Sequence, residues 1–160
     1  MARPDLPQHR PWLERPPDRL LGRGHPAGDF LEAYDWKVLE EAPGRLHLDV
    51  HVAPAVRNPL GQVFGGFAPT YVDLVALFTV RASLPRDDDA LKEVLATANM
   101  RVDYMEPLVG PRFRIESECV KQRGRSHWVE TRFLQDGELA LFALTTLRAI
   151  PRPGRDDSSK

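Results

Sequence analysis

The chain has 160 residues, 42% hydrophobic and 28% charged, a length and balance that suit one compact domain. A net charge of −1 gives no electrostatic reason to expect nucleic acid or an anionic membrane as partner. Cys119 is the only cysteine, which excludes a disulfide framework and a cysteine-based zinc site, and an intracellular, cytoplasmic protein is the simple reading.

Residues 1–25 hold Pro4, Pro7, Pro11, Pro16 and Pro17 among several arginines, without the apolar run a signal peptide needs. They are expected to form a Pro/Arg-rich arm outside the domain, with no regular element, in which Trp12 and Leu13 could dock. The domain proper is expected over residues 26–150. A helical turn over Pro26–Leu31 precedes a strand from Tyr34 to Leu39, with Tyr34, Trp36 and Val38 on one face, and Pro43-Gly44 turns the chain. Leu46, Leu48, Val50 and Val52 then alternate with Arg45, His47, Asp49 and His51, the period of a half-buried strand.

The stretch Asn58-Pro-Leu-Gly-Gln-Val-Phe-Gly-Gly66 leads into an apolar run from Phe67 to Val80 that contains one carboxylate, Asp73. Its apolar residues cover every side of a helix, so a buried helix inside a wrapping sheet is expected. The run is too short, and too interrupted by Asp73 and Thr79, to span a membrane. Gly65 and Gly66 open the helix and leave backbone N–H groups approachable at the positive end of its dipole, where an oxyanion is stabilised. Pro69 falls in the first turn, where a missing N–H does no harm. A carboxylate in an apolar setting must pair, hydrogen-bond or shift its pKa upward, which makes Asp73 a candidate site residue.

Pro85 and Asp87–Asp89 mark a solvent-facing connection, with a helical turn through Leu91–Val94. Ala98, Met100, Val102 and Tyr104 alternate with Thr97, Asn99, Arg101 and Asp103 in a third strand. Phe113–Val120, His127–Leu134 and Leu139–Leu147 form an antiparallel meander joined at Arg123-Gly124 and Asp136-Gly137. Residues 151–160 are expected to be a disordered tail. The five histidines show no ligand spacing, so no metal is proposed. Neither a Ser-His-Asp arrangement nor a phosphate loop is present. This order of elements is met by an α+β fold, an antiparallel sheet curled round one long helix.

Asn58, Gly61, Phe64-Gly65-Gly66, Asp73 and Tyr104-Met-Glu-Pro107 together resemble the hotdog-fold acyl-CoA thioesterases of the phenylacetyl-CoA (PaaI-like) type. The resemblance covers roughly residues 26–150 and implies hydrolysis of an acyl-CoA thioester without a cofactor. It implies that the Asn58 side chain and the Gly65 N–H polarise the thioester carbonyl, and that Asp73 is general base or nucleophile. Thr97 best matches the hydroxyl residue that places water. Phe64 stands where the family usually has His, which bears on efficiency and substrate class more than on fold. Gly66 and Phe64 are expected to line the substrate site, and Arg123, Arg125 and Ser126, at a hairpin, are candidates for the coenzyme A phosphates. A non-catalytic acyl-CoA binder of the same fold is the alternative, favoured by Phe64. Each residue also has an ordinary reading: Asp73 in a structural network, Asn58 as a turn residue, the glycines for close packing, Thr97 as a strand former on the polar face.

Gly65 and Asp73 are eight residues apart, roughly 12 Å along a helix, whereas reacting atoms must approach to about 3–3.5 Å. Two antiparallel helices across a two-fold axis satisfy both demands, so a homodimer with two shared sites is expected, with assembly into a homotetramer left open. Phe64, Phe67, Tyr71 and Phe78 fit an apolar pocket wall or the core equally well, so aryl and medium-chain acyl groups are both open.

Overall fold

The computed structural model describes residues 10–84 and 93–151. Six strands form one antiparallel sheet: β1 (Lys37–Ala42), β2 (Arg45–His51), β3 (Glu93–Tyr104), β4 (Arg112–Arg123), β5 (Ser126–Gln135) and β6 (Glu138–Pro151). Their order across the sheet is β1-β2-β4-β5-β6-β3, which puts β1 and β3 at the edges. A short helix α1 (Pro26–Phe30) precedes the sheet, and the long helix α2 (Ala68–Arg81) packs across one face of it. This is the hotdog arrangement the resemblance implies.

Alternation decides which side chains meet the helix. Leu48 lies opposite Ile115 and Val50 opposite Phe113, all four buried, because directly paired residues share a face of the sheet. Asp136 and Gly137 turn β5 into β6 with φ of 53° and 84°, the pair of left-handed residues that a type I′ hairpin requires. The core continues through an aromatic stack in which Trp36 and Tyr71 lie 5.3 Å apart at 7° and Tyr71 meets Phe113 at 5.7 Å. The Tyr71 hydroxyl is buried without a hydrogen-bond partner. Burial pushes its pKa up to about 12, with the nearby Ala53 backbone opposing part of that rise.

Several expectations are corrected. The first strand begins at Lys37 because Glu32, at φ 54°, starts a 3-10 turn over Ala33–Asp35; Tyr34 lies in that turn beneath the Arg23 guanidinium, 3.7 Å from the ring centroid. The segment from residue 10 is packed, and it contains a 3-10 turn at Pro11–Leu13. Leu20 and Leu21 are fully buried in the core, which stabilises the fold by about 1.5–3 kcal/mol for each such side chain. Local sequence gives no hint of this, because the contacts that order a Pro-rich segment lie far along the chain.

The long helix is not enclosed on every side. Tyr71, Val72, Val75, Ala76, Thr79 and Val80 are buried, whereas Thr70, Asp73, Leu77 and Arg81 are half-buried and form one stripe at helical spacing. β3 begins at Glu93, where the sequence predicts part of a helical turn, and Pro151 still belongs to β6. The acidic run and residues 152–160 lie outside the described residues. Among the described residues no helix is long and apolar enough to cross a membrane.

Candidate active site

The approach to α2 is a tightly held loop. The Asn58 side-chain carbonyl accepts from the backbone N–H of Leu60 at 2.9 Å and of Gln62 at 3.0 Å, and its amide donates to Gln62 Oε1 at 3.1 Å. Asn58 is therefore a turn-forming residue here, with one amide hydrogen left to offer a ligand. The loop is anchored by main-chain bonds from Val63 to Leu108 and from Phe64 to Val56, and Phe67 N–H closes a turn on the Phe64 carbonyl at 2.8 Å. Gly65 and Gly66 are the centre of that turn. Both are exposed, neither has a left-handed φ, and no hydrogen bond within the described residues engages their N–H groups. Their lack of side chains keeps the donors open, as the sequence suggests. α2 has no side-chain cap at Phe67, so these donors lie at an unsatisfied helix start.

Asp73 lies in the half-buried stripe of α2, so the full burial expected for it is not found. Thr97 Oγ1 donates to Asp73 Oδ1. That contact depends on a β-bulge: Thr97 pairs with Leu147, but Asn99 pairs with Thr146, leaving Ala98 as the extra residue. Strict alternation puts Thr97 on the face opposite Met100 and Val102. The bulge reverses the phase, so Leu95, Thr97, Met100 and Val102 all serve the helix side, where Leu95, Met100 and Val102 pack on the core. The polar-face reading of Thr97 is thereby overturned.

Phe64 is 54% exposed beside the glycines and packs edge-on to Phe67, which in turn meets Phe30 at 5.5 Å. A cavity of about 230 Å³ adjoins the helix start, lined by Val63, Ala68, Tyr104, Met105, Leu108 and Leu141 among others. Tyr104, which the sequence does not single out as a site residue, donates its hydroxyl hydrogen to the Gly65 carbonyl at 2.7 Å.

Arg123, Arg125 and Ser126 occupy the β4–β5 hairpin. Thr97 pairs with Leu147 and Leu147 with His127, so Ser126 is one residue beyond the Thr97 row, two strands and about 10 Å away. Arg125 lines a cavity of about 160 Å³ with Arg81, Gln122 and His127; of the surface and strand-face readings of that histidine, the strand-face one fits, on the buried face of β5. Burial holds the Arg81 guanidinium below its usual pKa. The hairpin is thus level with Asp73 and Thr97, and Tyr104 lies seven residues further along β3, at the helix-start end. Among the described residues no three His, Cys, Asp or Glu side chains gather into a group able to hold a metal ion.

Solved structures share this fold. A phenylacetic acid degradation-related protein from Ralstonia eutropha JMP134 is 22% identical, with a TM-score of 0.66 over 79% of this chain and 92% of its own. The phenylacetic acid degradation protein PaaI from Thermus thermophilus, in mutant form, is 22% identical, with a TM-score of 0.61 over 75% of this chain and 97% of its own. A hypothetical thioesterase from Streptococcus pneumoniae TIGR4, solved with coenzyme A, is 17% identical, with a TM-score of 0.61 over 75% of this chain and 92% of its own. No curated protein sequence matches. The model of the thioesterase superfamily matches residues 60–140, just over half of the chain and the part that carries Gly65, Asp73, Thr97 and Tyr104, and the chain belongs to that superfamily.

Proposed function

We propose that the protein hydrolyses an acyl thioester, with an acyl-CoA as substrate, to the free acid and thiol. The observation that carries this reading is Asp73, held by Thr97 on the same helix whose start offers two unengaged backbone donors. The Thr97 bond occupies Asp73 Oδ1 and leaves Oδ2 for a water molecule. As general base, Asp73 takes a proton from that water while its oxygen attacks the thioester carbon. The Gly65 N–H and the remaining Asn58 amide hydrogen hold the developing oxyanion. Collapse of the tetrahedral species breaks the C–S bond, and the departing thiolate takes up the proton to give free thiol and acid. In the alternative, nucleophilic route, Asp73 attacks the carbon itself and water opens the resulting anhydride.

The PaaI-like type is supported by the Asn58, Gly65-Gly66 and Asp73 spacing, and coenzyme A by the complex of the Streptococcus pneumoniae protein. In this reading Arg123, Arg125 and Ser126 receive the coenzyme A phosphates. The site is built by a homodimer in which Asn58 and Gly65 of one chain serve Asp73 of the other. The eight-residue separation of Gly65 from Asp73 supports this, as do the outer edge of β3, unpaired among the described residues, and a group of exposed apolar side chains around the helix start, Leu60, Phe64, Tyr104, Met105 and Val109.

Phe64 in place of the family's His, and an Asn58 already engaged in its own turn, favour the second reading of an acyl-CoA binder without turnover. A thiol-release assay over a panel of aryl and straight-chain acyl-CoAs decides between them. Hydrolysis of at least one member is expected; folded protein that binds acyl-CoA and releases no thiol overturns the enzyme reading.

A further inference from the structure

Gly65 lies two residues before the Phe67 cap of α2, and if the helix were continued back through this turn its carbonyl would take the N–H of residue 69, which is Pro69. Proline has none. The carbonyl instead accepts the Tyr104 hydroxyl at 2.7 Å, from the last residue of β3, the same edge strand that brings Thr97 to Asp73. In a planar trans peptide the C=O and the following N–H point in opposite directions, so a bond that fixes one fixes the other.

Building on the thioesterase reading, we propose that Tyr104 is a positioning residue: its hydroxyl replaces the donor that Pro69 lacks and locks the Gly65–Gly66 peptide, holding the Gly66 N–H on the side away from Tyr104 as a second oxyanion donor beside the Gly65 N–H. The Tyr104 ring also comes within 3.7 Å of where a Cβ on Gly65 would stand, so ring and hydroxyl both bear on this turn. Neither glycine has a left-handed φ, and the turn is one that many residues could adopt; without such a clamp, two adjacent glycines have more backbone freedom than any other pair. The loop is thus held at the Gly65 carbonyl, leaving its N–H side open. Tyr104 touches no reacting atom in this scheme and acts only through the peptide it holds.

The pairing of Pro69 with Tyr104 gives a test that a packing role for the ring would not pass. Tyr104→Phe keeps the ring and is expected to lower kcat about 5–10-fold with KM changed less than about 2-fold. In a Pro69→Ala background the backbone N–H of residue 69 can satisfy the Gly65 carbonyl, so Tyr104→Phe should there lower kcat by less than about 2-fold, a non-additivity that reports the shared carbonyl. The Gly66 amide order parameter, measured by nitrogen-15 relaxation, should fall from about 0.85 to below about 0.6 in Tyr104→Phe and recover in the double variant. An active enzyme whose kcat is unmoved by Tyr104→Phe, or falls equally in both backgrounds, overturns the proposal. If the wild type releases no thiol from any acyl-CoA, the thioesterase reading fails separately, and the Gly66 amide alone decides: order lost and regained upholds the clamp, order unchanged overturns it.

Discussion

The two edges of the sheet are treated in opposite ways. At β1 the chain covers its own edge: Val38 N–H donates to the Asp18 carbonyl at 2.9 Å, Leu20 N–H to the Trp36 carbonyl at 3.3 Å, and Arg19 pairs with Lys37. Arg15 fastens this cover, donating to the carbonyls of Arg19 and Leu20 and to the Glu41 carboxylate at 2.6 Å. At β3 no segment among the described residues pairs with the outer edge, although twelve residues of bare strand invite association. Yet β3 is the strand that reaches the candidate site, through Thr97 to Asp73 and through Tyr104 to Gly65. The covered edge is architecture. In the proposed reading, the edge left unpaired among the described residues carries the side chains that hold the candidate site, and it is the edge offered to a second copy.

The largest expected effect falls on the bare side. Asp73→Asn keeps an oxygen for the Thr97 hydroxyl, so the fold should persist, while turnover of the best thioester should drop about 100-fold or more. A near-wild-type rate would remove Asp73 from the chemistry. Asn58→Ala should also be nearly inactive, and refolding the two variants together makes half the dimers mixed. Each mixed dimer has one site with both lesions and one with neither, so about a quarter of wild-type activity should return if the site is shared across a two-fold axis. No recovery, with subunit exchange verified by native mass spectrometry, would mean that each chain builds its own site.

The covered side should answer in stability alone. Arg15→Ala leaves the Arg19 and Leu20 carbonyls and the Glu41 carboxylate without this donor, and hydrogen bonds made by a charged group contribute about 1.5–3 kcal/mol each, less where water can replace it. A loss of about 2 kcal/mol in urea denaturation is expected, with kcat of the folded protein unchanged. A matching fall in kcat would erase the distinction between the edges.

Much of this is legible in the residues because the patterns are local. The 45–52 alternation, the Asp136-Gly137 hairpin and the apolar run at 67–80 each depend on a few neighbours, and each is found as an element of the expected type. The glycine pair and Asp73 draw notice in the sequence because adjacent glycines are conformationally loose and one carboxylate interrupts an apolar run, while their roles in the chemistry belong to the proposal. What stays hidden depends on long-range contact or on a break in period. Thr97 reads as a polar-face residue because the Ala98 bulge leaves no mark in an alternating sequence. The Tyr104 hydroxyl meets a carbonyl 39 residues away. The open stripe of α2 is invisible because Thr70, Leu77 and Arg81 are interleaved with residues that are buried. Leu20 and Leu21 sit in a Pro-rich stretch whose order comes from β1 and the core beneath it.

The smallest effect is expected deep on the covered side, at Tyr71, which stacks on Trp36 just before β1. Its hydroxyl is buried with the Ala53 backbone nearby but no well-formed hydrogen bond, so Tyr71→Phe removes a poorly compensated polar group and keeps the ring. At pH 7 the variant should be as stable as the wild type or up to about 1 kcal/mol more stable. The difference should grow in alkali, and its sign follows from the raised pKa. Below pH 10 the phenol is neutral in both states and the full stability is present. Between the ordinary value of 10 and the folded value of about 12 the unfolded chain ionises while the folded one does not, so the wild type loses stability across that window. Urea midpoints at pH 7 and pH 11 should therefore diverge, with Tyr71→Phe losing about 1 kcal/mol less than the wild type on going to pH 11. Equal losses in the two proteins would show that the Tyr71 hydroxyl has a proton acceptor or a path to water in solution, and that the interior behind the covered edge is less closed than its packing implies.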